Sequence, residues 1–254
     1  MKRKLSYLLI AFLATTSCKK SNSQAETDNP NPNQTCKVNS VTRYAKTFHY
    51  TYDEKGKIIR IDRGTRQSTD YATLSYKTEE ITIYDSKFSG SSPAAPHTTT
   101  YKLDANGKIT SSEYFTFKYN AEGYLSEISY NAAKQILTYQ NGNLVKIDYY
   151  SPATSTSDST STVIDYSSET PASEVTGFGY HLENHILYYD VLAPYFGKAS
   201  KNQFIKVSKT YNEAKPIVTQ VTNFVYRKDN NGNLASIAAN GDNAGDVSFN
   251  YQCQ

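Results

Sequence analysis

The twelve residues YTYDEKGKIIRI, at positions 50–61, specify a complete β-hairpin. Aromatic side chains alternate up to the turn, where Asp53 can hydrogen-bond the backbone two residues further on. Gly56 then takes the positive φ of a G1 bulge, and aliphatic residues begin the second strand. In this geometry Tyr52 lies opposite Ile58, which sets an aromatic ring against an aliphatic side chain.

The same pattern, an aromatic pair, a polar turn ending in Gly and an aliphatic pair, occurs five times in the chain. The copies are residues 50–61, 101–112, 117–128, 137–147 and 224–237, and residues 249–251 match the first half of a sixth. Their turn glycines are Gly56, Gly107, Gly123, Gly142 and Gly232. An internal repeat of this length predicts supersecondary units laid side by side.

We expect one face of the sheet to carry a ladder in which Tyr52 pairs with Ile58, Tyr119 with Leu125 and Tyr139 with Leu144. Because Tyr rings can stack on sugars or peptides, Tyr52, Tyr119 and Tyr139 are candidate binding residues. The alternative is that the ladder is only the amphipathic surface of a sheet.

A second aliphatic residue follows the first at an odd spacing, as in Ile61, Ile128 and Ile147. An odd spacing along a strand points the two side chains to opposite faces. Either both faces of the sheet are covered or a bulge restores the phase, and we expect coverage.

These patterns predict an all-β fold, an antiparallel meander of repeated β-hairpins that forms a curved sheet, half-barrel or rolled shell with one short helix. The helix is expected at about residues 182–192, where Ile186, Leu187, Val191 and Leu192 have helical spacing and Pro194 stops it. Its simplest use is to plug the curve of the sheet.

The motif Tyr-Asp-x-x-Gly-x-Ile at 52–58 and its degenerate copies resemble the Tyr-Asp (YD, RHS-like) repeat proteins, in particular bacterial outer-membrane lipoproteins of unknown function. The resemblance implies antiparallel hairpins forming a shell or half-barrel, and no catalytic residues. One copy is a residue shorter, one is two residues longer, and wide gaps lie at 62–100 and 148–223. A long spiralling cocoon is therefore not expected.

Residues 1–17 have a basic start and an apolar run too short to cross a bilayer, which predicts a signal peptide. The residues up to Cys18 look like a lipobox, so we expect acylation of Cys18 and anchoring to the outer membrane, with the leaflet left open. The alternative is an ordinary secretory signal. Residues 18–35 are polar with two Asn-Pro steps and predict a disordered tether, and residues 36–254 form a single domain.

Cys36 and Cys253 are the remaining cysteines, one at each end of this domain. In an oxidising compartment we expect them to pair, with two unpaired thiols as the alternative. A disulfide between them would bring the first and last strands together.

Charge and motifs exclude several function classes. Without the three basic residues of the signal peptide, 24 basic and 24 acidic side chains remain, so no basic field for nucleic acid is expected. His181 and His185 lack the Glu spacing of zinc proteases. The stretches at 229–233 and 241–246 are rich in oxygen ligands but fit turns better than calcium loops. We expect no catalytic residues, metal or cofactor.

The sequence therefore predicts a lipid-anchored, non-catalytic envelope module that binds glycan, peptide or another envelope protein through a Tyr-rich sheet. A purely structural shell protein is the alternative, and a glycan-acting hydrolase is third.

Overall fold

The computed structural model describes residues 36–43, 45–88, 95–151, 159–171, 189–212, 217–241 and 246–253. The predicted signal peptide, Cys18, the tether, His181 and His185 lie outside these residues.

Sixteen antiparallel strands form one closed barrel in which each strand pairs with its neighbours in sequence and β16 pairs with β1. The strands are β1 (Cys36–Arg43), β2 (Lys46–Tyr52), β3 (Ile58–Arg63), β4 (Tyr71–Tyr76), β5 (Glu80–Phe88), β6 (Ala95–Leu103), β7 (Ile109–Ser111), β8 (Phe115–Tyr119), β9 (Leu125–Tyr130), β10 (Ala133–Gln140), β11 (Asn143–Tyr150), β12 (Thr160–Pro171), β13 (Asn202–Tyr211), β14 (Val218–Lys228), β15 (Leu234–Gly241) and β16 (Val247–Cys253). The all-β prediction is confirmed.

The predicted curved sheet or half-barrel is wrong, because the sheet closes on itself. The repeats mark five hairpins but not the strands in the two gaps between copies, residues 62–100 and 148–223. Residues 62–100 complete β3 and add β4, β5 and the start of β6, and the second gap supplies β12, β13 and part of β14. These strands complete the circle and leave no open edge within the described sheet.

The predicted disulfide is confirmed, and it lies at the seam of the barrel. Cys36 and Cys253 are bonded with their Cα atoms 4.0 Å apart and form the last pair between β1 and β16. Val38 pairs with Tyr251 in the same way that Ile58 pairs with Tyr52. The start of β1 thus completes the half copy at 249–251, and the disulfide takes the place of the turn in this hairpin.

The five turn glycines all have positive φ, between 76° and 90°, as the sequence predicts. In the first copy the Asp53 carboxylate accepts hydrogen bonds from the backbone N–H groups of Lys55 at 2.9 Å and Lys57 at 2.8 Å. Asp104 and Asp229 do the same in their own turns. Since alternate connections of a meander lie at the same end, these turns and the disulfide share one end of the barrel, here called the glycine-turn end.

The three predicted Tyr–aliphatic pairs are confirmed by the strand register. The expectation that the second aliphatic residue faces the other side is wrong. The register shifts by one residue directly after each pair, so that Ile59, for example, is extra and Ile61 returns to the side of Ile58. Ile61, Ile128 and Ile147 are all buried, which shows that a bulge restores the phase.

The inward face of the barrel is apolar, and the outward face carries charged and polar side chains together with exposed apolar ones such as Val163 and Val225. Fully buried side chains line the inside: Ile81, Ile83, Ile109, Leu125, Leu144, Leu192 and Phe196. Outside, cross-strand ion pairs join Lys118 to Glu127 and Lys206 to Asp165, each at 2.7 Å. A barrel of about 16 strands is wide enough to hold a water channel, but in this barrel apolar side chains fill inward positions as a hydrophobic core.

A segment between β12 and β13 closes the glycine-turn end and is here called the plug, residues 189–201. It begins with the short helix α1 (Tyr189–Leu192) and a 3-10 turn (Ala193–Tyr195). Backbone N–H groups of Lys198 and Lys201 donate to the carbonyls of Gly123 at 3.1 Å and Gly142 at 2.9 Å. The predicted helix is therefore described only in its last residues, and those do plug the barrel.

Among the described residues, no helix combines the length and apolarity needed to span a membrane.

Candidate functional site

The three tyrosines predicted as binding residues lie inside the glycine-turn end. The hydroxyl of Tyr52 donates to the carbonyl of Val38, and that of Tyr119 donates to the carbonyl of Ile109 at 2.7 Å. Burial raises the pKa of Tyr52 to about 12, and the neighbouring Tyr251 adds to the shift. Tyr139 packs against the core and stacks on Tyr124 with ring centroids 4.6 Å apart. These rings serve the packing of the barrel.

The Tyr hydroxyls form a repeated contact between neighbouring hairpins. Each donates to the carbonyl of the first aliphatic or aromatic residue in the strand before it. The pairs are Tyr52 to Val38, Tyr76 to Ile58, Tyr119 to Ile109, Tyr166 to Leu144, Tyr226 to Phe204 and Tyr251 to Leu234. We call these six residues the latch tyrosines. The same hydrogen bond recurs along the barrel, which explains why Tyr precedes the turn in several copies of the repeat.

Exposed aromatic rings lie together at the opposite end of the barrel, here called the far end. Tyr114 is 44% exposed and Tyr130 is 39% exposed, although Tyr130 pairs with Phe115 on the inward face. His97 stacks on Tyr114 with centroids 6.4 Å apart. We call His97, Tyr114 and Tyr130 the ring cluster.

Local sequence explains where each member of the ring cluster lies. Tyr114 occupies the turn between β7 and β8, where the Ser112 N–H donates to the Phe115 carbonyl at 2.8 Å. The Ser112 hydroxyl in turn accepts from the Phe115 N–H. This tight turn holds the ring of Tyr114 above the start of β8. Strand pairing with β8 then places Tyr130 beside it.

The ring cluster continues into the core as a row of aromatic contacts. Tyr114 and Tyr130 meet edge to face at 6.3 Å, and Tyr130 lies 5.0 Å from Phe115. Phe115 then contacts Phe117 at 6.2 Å, and Phe117 contacts Phe196 of the plug at 5.2 Å. The exposed rings of Tyr114 and Tyr130 are thus in contact with buried aromatic side chains of the core.

Glu113 supplies a carboxylate beside the ring cluster. Its Oε2 lies 3.6 Å from His97 Nε2, and the Glu113 side chain is 51% exposed. A hydrogen bond to Glu113 raises the pKa of the Tyr114 hydroxyl. Flat apolar faces beside the Tyr114 hydroxyl and the exposed Glu113 carboxylate, with the mostly buried His97 imidazole next to them, are the combination that sugar and peptide sites use.

A buried charge pair fixes the strand next to His97. Asp85 pairs with His97 across β5 and β6, and the guanidinium of Arg63 binds both carboxylate oxygens of Asp85. Arg63 also donates to Asp70 at 2.5 Å. The Arg63 guanidinium therefore offsets the buried charge of Asp85, while Glu113 and Tyr114 supply the exposed polar groups beside the ring cluster.

In the described part of the chain, no three His, Cys, Asp or Glu side chains converge on a point that could hold a metal ion. The Asp229 carboxylate, considered for calcium, accepts backbone N–H bonds within its own turn.

Sequence reasoning missed the ring cluster, because His97 and Tyr114 lie outside the regular part of the repeats. One signal was present: Tyr114 is a large aromatic residue directly after the polar stretch Ser111-Ser112-Glu113, in a turn that is expected to be polar. Such a residue points to a surface role more directly than a Tyr within a repeat.

No protein-family model and no curated protein matches the sequence. Solved structures match the fold. A porin-like protein from Bacteroides vulgatus has a TM-score of 0.61 at 14% identity, covering 85% of this chain and 98% of that chain. A porin-like protein from Bacteroides uniformis has a TM-score of 0.59 at 15% identity, covering 85% of this chain and 96% of that chain. At these identities the likeness shows the fold alone.

Proposed function

We propose that this protein is a lipid-anchored, non-catalytic module of the bacterial cell envelope that binds a glycan at the ring cluster of the far end. The observation that carries the proposal is the exposure of Tyr114 and Tyr130 on a rigid aromatic row, with Glu113 beside them. A large ring that stays exposed to solvent gives up the free energy of burial. Two such rings in contact therefore favour use as a binding surface.

The envelope location rests on the lipobox-like sequence at Cys18 and on the resemblance to Tyr-Asp repeat lipoproteins. The fold shared with porin-like proteins is consistent with it. The protein stands on its membrane instead of spanning it, because charged pairs such as Lys118 with Glu127 occupy the outward face. A spanning barrel needs an apolar outward band, and charges there are costly.

The glycan proposal is tested with oligosaccharide and peptide arrays and the chain from residue 19 onward, exported behind a plain secretory signal. Positive oligosaccharides are then titrated by calorimetry. Tyr114→Ala and Tyr130→Ala should each weaken binding roughly tenfold, as expected for loss of one stacking ring. Tyr150→Ala is the matched control, since Tyr150 is 46% exposed outside the cluster.

Peptide binding alone, or equal loss in the Tyr150 variant, would contradict glycan recognition at this site. Silence on both arrays would favour a purely structural shell. The latch tyrosines support the structural shell, because all six hydroxyls donate hydrogen bonds that join neighbouring hairpins.

Lipid attachment is tested separately by feeding cells a labelled fatty acid. The wild-type chain should carry label and fractionate with the outer membrane, and Cys18→Ser should carry none. An unlabelled wild-type chain would contradict the anchor while leaving the glycan result untouched.

A further inference from the structure

Four lysines at the glycine-turn end lie over tyrosine rings and form a group that we call the lysine collar: Lys37, Lys57, Lys108 and Lys198. Their ammonium nitrogens are 5.5 Å from the Tyr52 centroid, 4.8 Å from Tyr76, 5.1 Å from Tyr119 and 5.5 Å from Tyr124, respectively. Three of these rings belong to latch tyrosines. The contact holds each long side chain near one position, which lowers the entropy lost when it binds a further partner.

The spacing of the collar follows from the repeat. Lys57 and Lys108 each come directly after a turn glycine and cover the latch tyrosine of the next hairpin. Lys37 has the same place in the seam hairpin, directly before Val38, and covers Tyr52. Lys198 comes from the plug and lies beside Gly123. The collar therefore follows the rim of one end instead of being scattered over the surface.

Collar charges are not neutralised by carboxylates within the described residues, where no ion pair involves any of the four. Two further lysines at this end are paired, since Lys77 and Lys102 each contact Glu80 at 2.6 Å. The turn carboxylates of Asp53 and Asp104 accept hydrogen bonds from backbone N–H groups and keep their negative charge.

Glu54 and Glu122 stay exposed on turn tips, and Lys55 and Lys201 are exposed as well. In the described turns of this end nine lysines outnumber seven carboxylates, which leaves a small net positive charge at the rim. The lysines are Lys37, Lys55, Lys57, Lys77, Lys102, Lys108, Lys198, Lys201 and Lys228, and the carboxylates are those of Asp53, Glu54, Glu79, Glu80, Asp104, Glu122 and Asp229.

The chain enters the barrel at this same end. Cys36 begins β1 next to Lys37, so whatever precedes residue 36 leaves from the collar rim. From Cys18 to Cys36 a coil has an average span of about 25 Å. An acyl group at Cys18 would hold the glycine-turn end within a short distance of lipid headgroups and turn the ring cluster away from them.

We propose that the lysine collar docks the glycine-turn end on anionic lipid headgroups, which orients the barrel with its ring cluster pointing away from the membrane. This inference rests on the proposed lipid-anchored role. Positive side chains near an anionic bilayer are attracted within about one Debye length of its surface, roughly 8 Å at physiological salt.

The test uses the chain from residue 19 onward, without the acyl group, and sedimentation with vesicles of pure phosphatidylcholine or of phosphatidylcholine with phosphatidylglycerol. Wild-type protein should sediment with the anionic vesicles and not with the neutral ones, and 0.5 M salt should release it. The triple variant Lys57→Gln, Lys108→Gln, Lys198→Gln should bind about a hundredfold more weakly, at about fivefold for each lysine.

The matched control replaces three far-end lysines by Gln: Lys46, Lys87 and Lys134. Lys134 lies over Tyr150 at 5.5 Å, so it repeats the lysine–ring contact at the other end. This variant should bind anionic vesicles as the wild type does. Circular dichroism and thermal melting confirm that both triple variants keep the fold.

Equal loss in both triple variants, equal binding to neutral vesicles, or no binding by the wild type would each overturn the proposal. The result does not depend on Cys18, because the tested chain lacks it. A failed acylation experiment therefore contradicts the anchor, whereas failed sedimentation contradicts the collar.

Discussion

The two ends of this barrel are built from different chemistry. At the glycine-turn end, repeated turns, latch tyrosines, a disulfide and the plug leave the side chains engaged with one another. At the far end, exposed rings of Tyr114 and Tyr130 lie beside the charged group of Arg63 and Asp85. The repeat motif encodes the first end, because its Tyr, Asp and Gly all act there. The far end is assembled from residues between repeats, where variation does not disturb the latches.

The largest effect expected is alkaline unfolding that starts at the glycine-turn end. Burial raises the pKa of Tyr52 and of Tyr166 to about 12 from the ordinary value of 10.0. A raised pKa means that the native state holds its proton longer, so this stability is complete below pH 10 and is lost as the pH rises towards 12.

Tyrosinate absorbance at 295 nm, followed with circular dichroism, measures this transition. Tyrosines outside the core should ionise first, and a second group that includes Tyr52 and Tyr166 should ionise together with loss of the β signal. A single transition near pH 10, with the fold intact, would contradict the difference between the ends.

Removing the disulfide should give the next largest effect. Cys36→Ser with Cys253→Ser opens a covalent link between residues 217 positions apart. Chain-entropy arguments give a loss of about 5 kcal/mol in the free energy of unfolding for such a span. Urea unfolding of the double variant and of the reduced wild type should agree. An unchanged midpoint would show that the seam is held by strand pairing alone.

Truncating the plug should cost less, but more than truncating the ring cluster. Phe196 is 0% exposed, so Phe196→Ala should lower the free energy of unfolding by about 3 to 5 kcal/mol. Tyr130 is 39% exposed, and Tyr130→Ala should cost a fraction of that value. Equal losses, measured by urea unfolding, would remove the distinction between a packed end and a binding end.

The smallest effect expected concerns a single latch. Tyr119→Phe keeps the ring and removes only the hydroxyl that bonds the carbonyls of Ile109 and Tyr195. The expected loss is about 1 kcal/mol. Tyr114→Phe is the far-end counterpart and should leave unfolding unchanged, because its hydroxyl is exposed. A neutral Tyr119→Phe variant would mean that the latches add no stability.

The sequence was sufficient for the hairpins, because Asp, Gly and aliphatic residues act within a dozen positions of one another. Tyr52 opposite Ile58 and the pairing of Cys36 with Cys253 were both predicted and are both present. Closure was not predictable in this way. The hairpin of β4 and β5 has no turn glycine, and that of β12 and β13 is interrupted by the plug. Neither could be counted as a repeat, so the circle looked incomplete.

The bulge could have been read from the sequence. Aliphatic residues two and five positions after each turn glycine, such as Ile58 and Ile61, fit one face only if an extra residue lies between them. The ring cluster could not, since it depends on the strand register that brings Tyr130 of β9 next to Tyr114.

The seam between β16 and β1 has the register of an ordinary hairpin, so the barrel could be opened at another connection without changing its architecture. The disulfide links β16 to β1 covalently, as a peptide turn links the strands of the other hairpins. The described domain is therefore a covalently closed ring. A circular permutant that joins Cys253 to Cys36 through a short Asn-Gly linker and opens at a far-end connection should fold to the same barrel. A force applied at Cys36 or Cys253 would meet a covalently closed ring in which each described strand is paired on both sides.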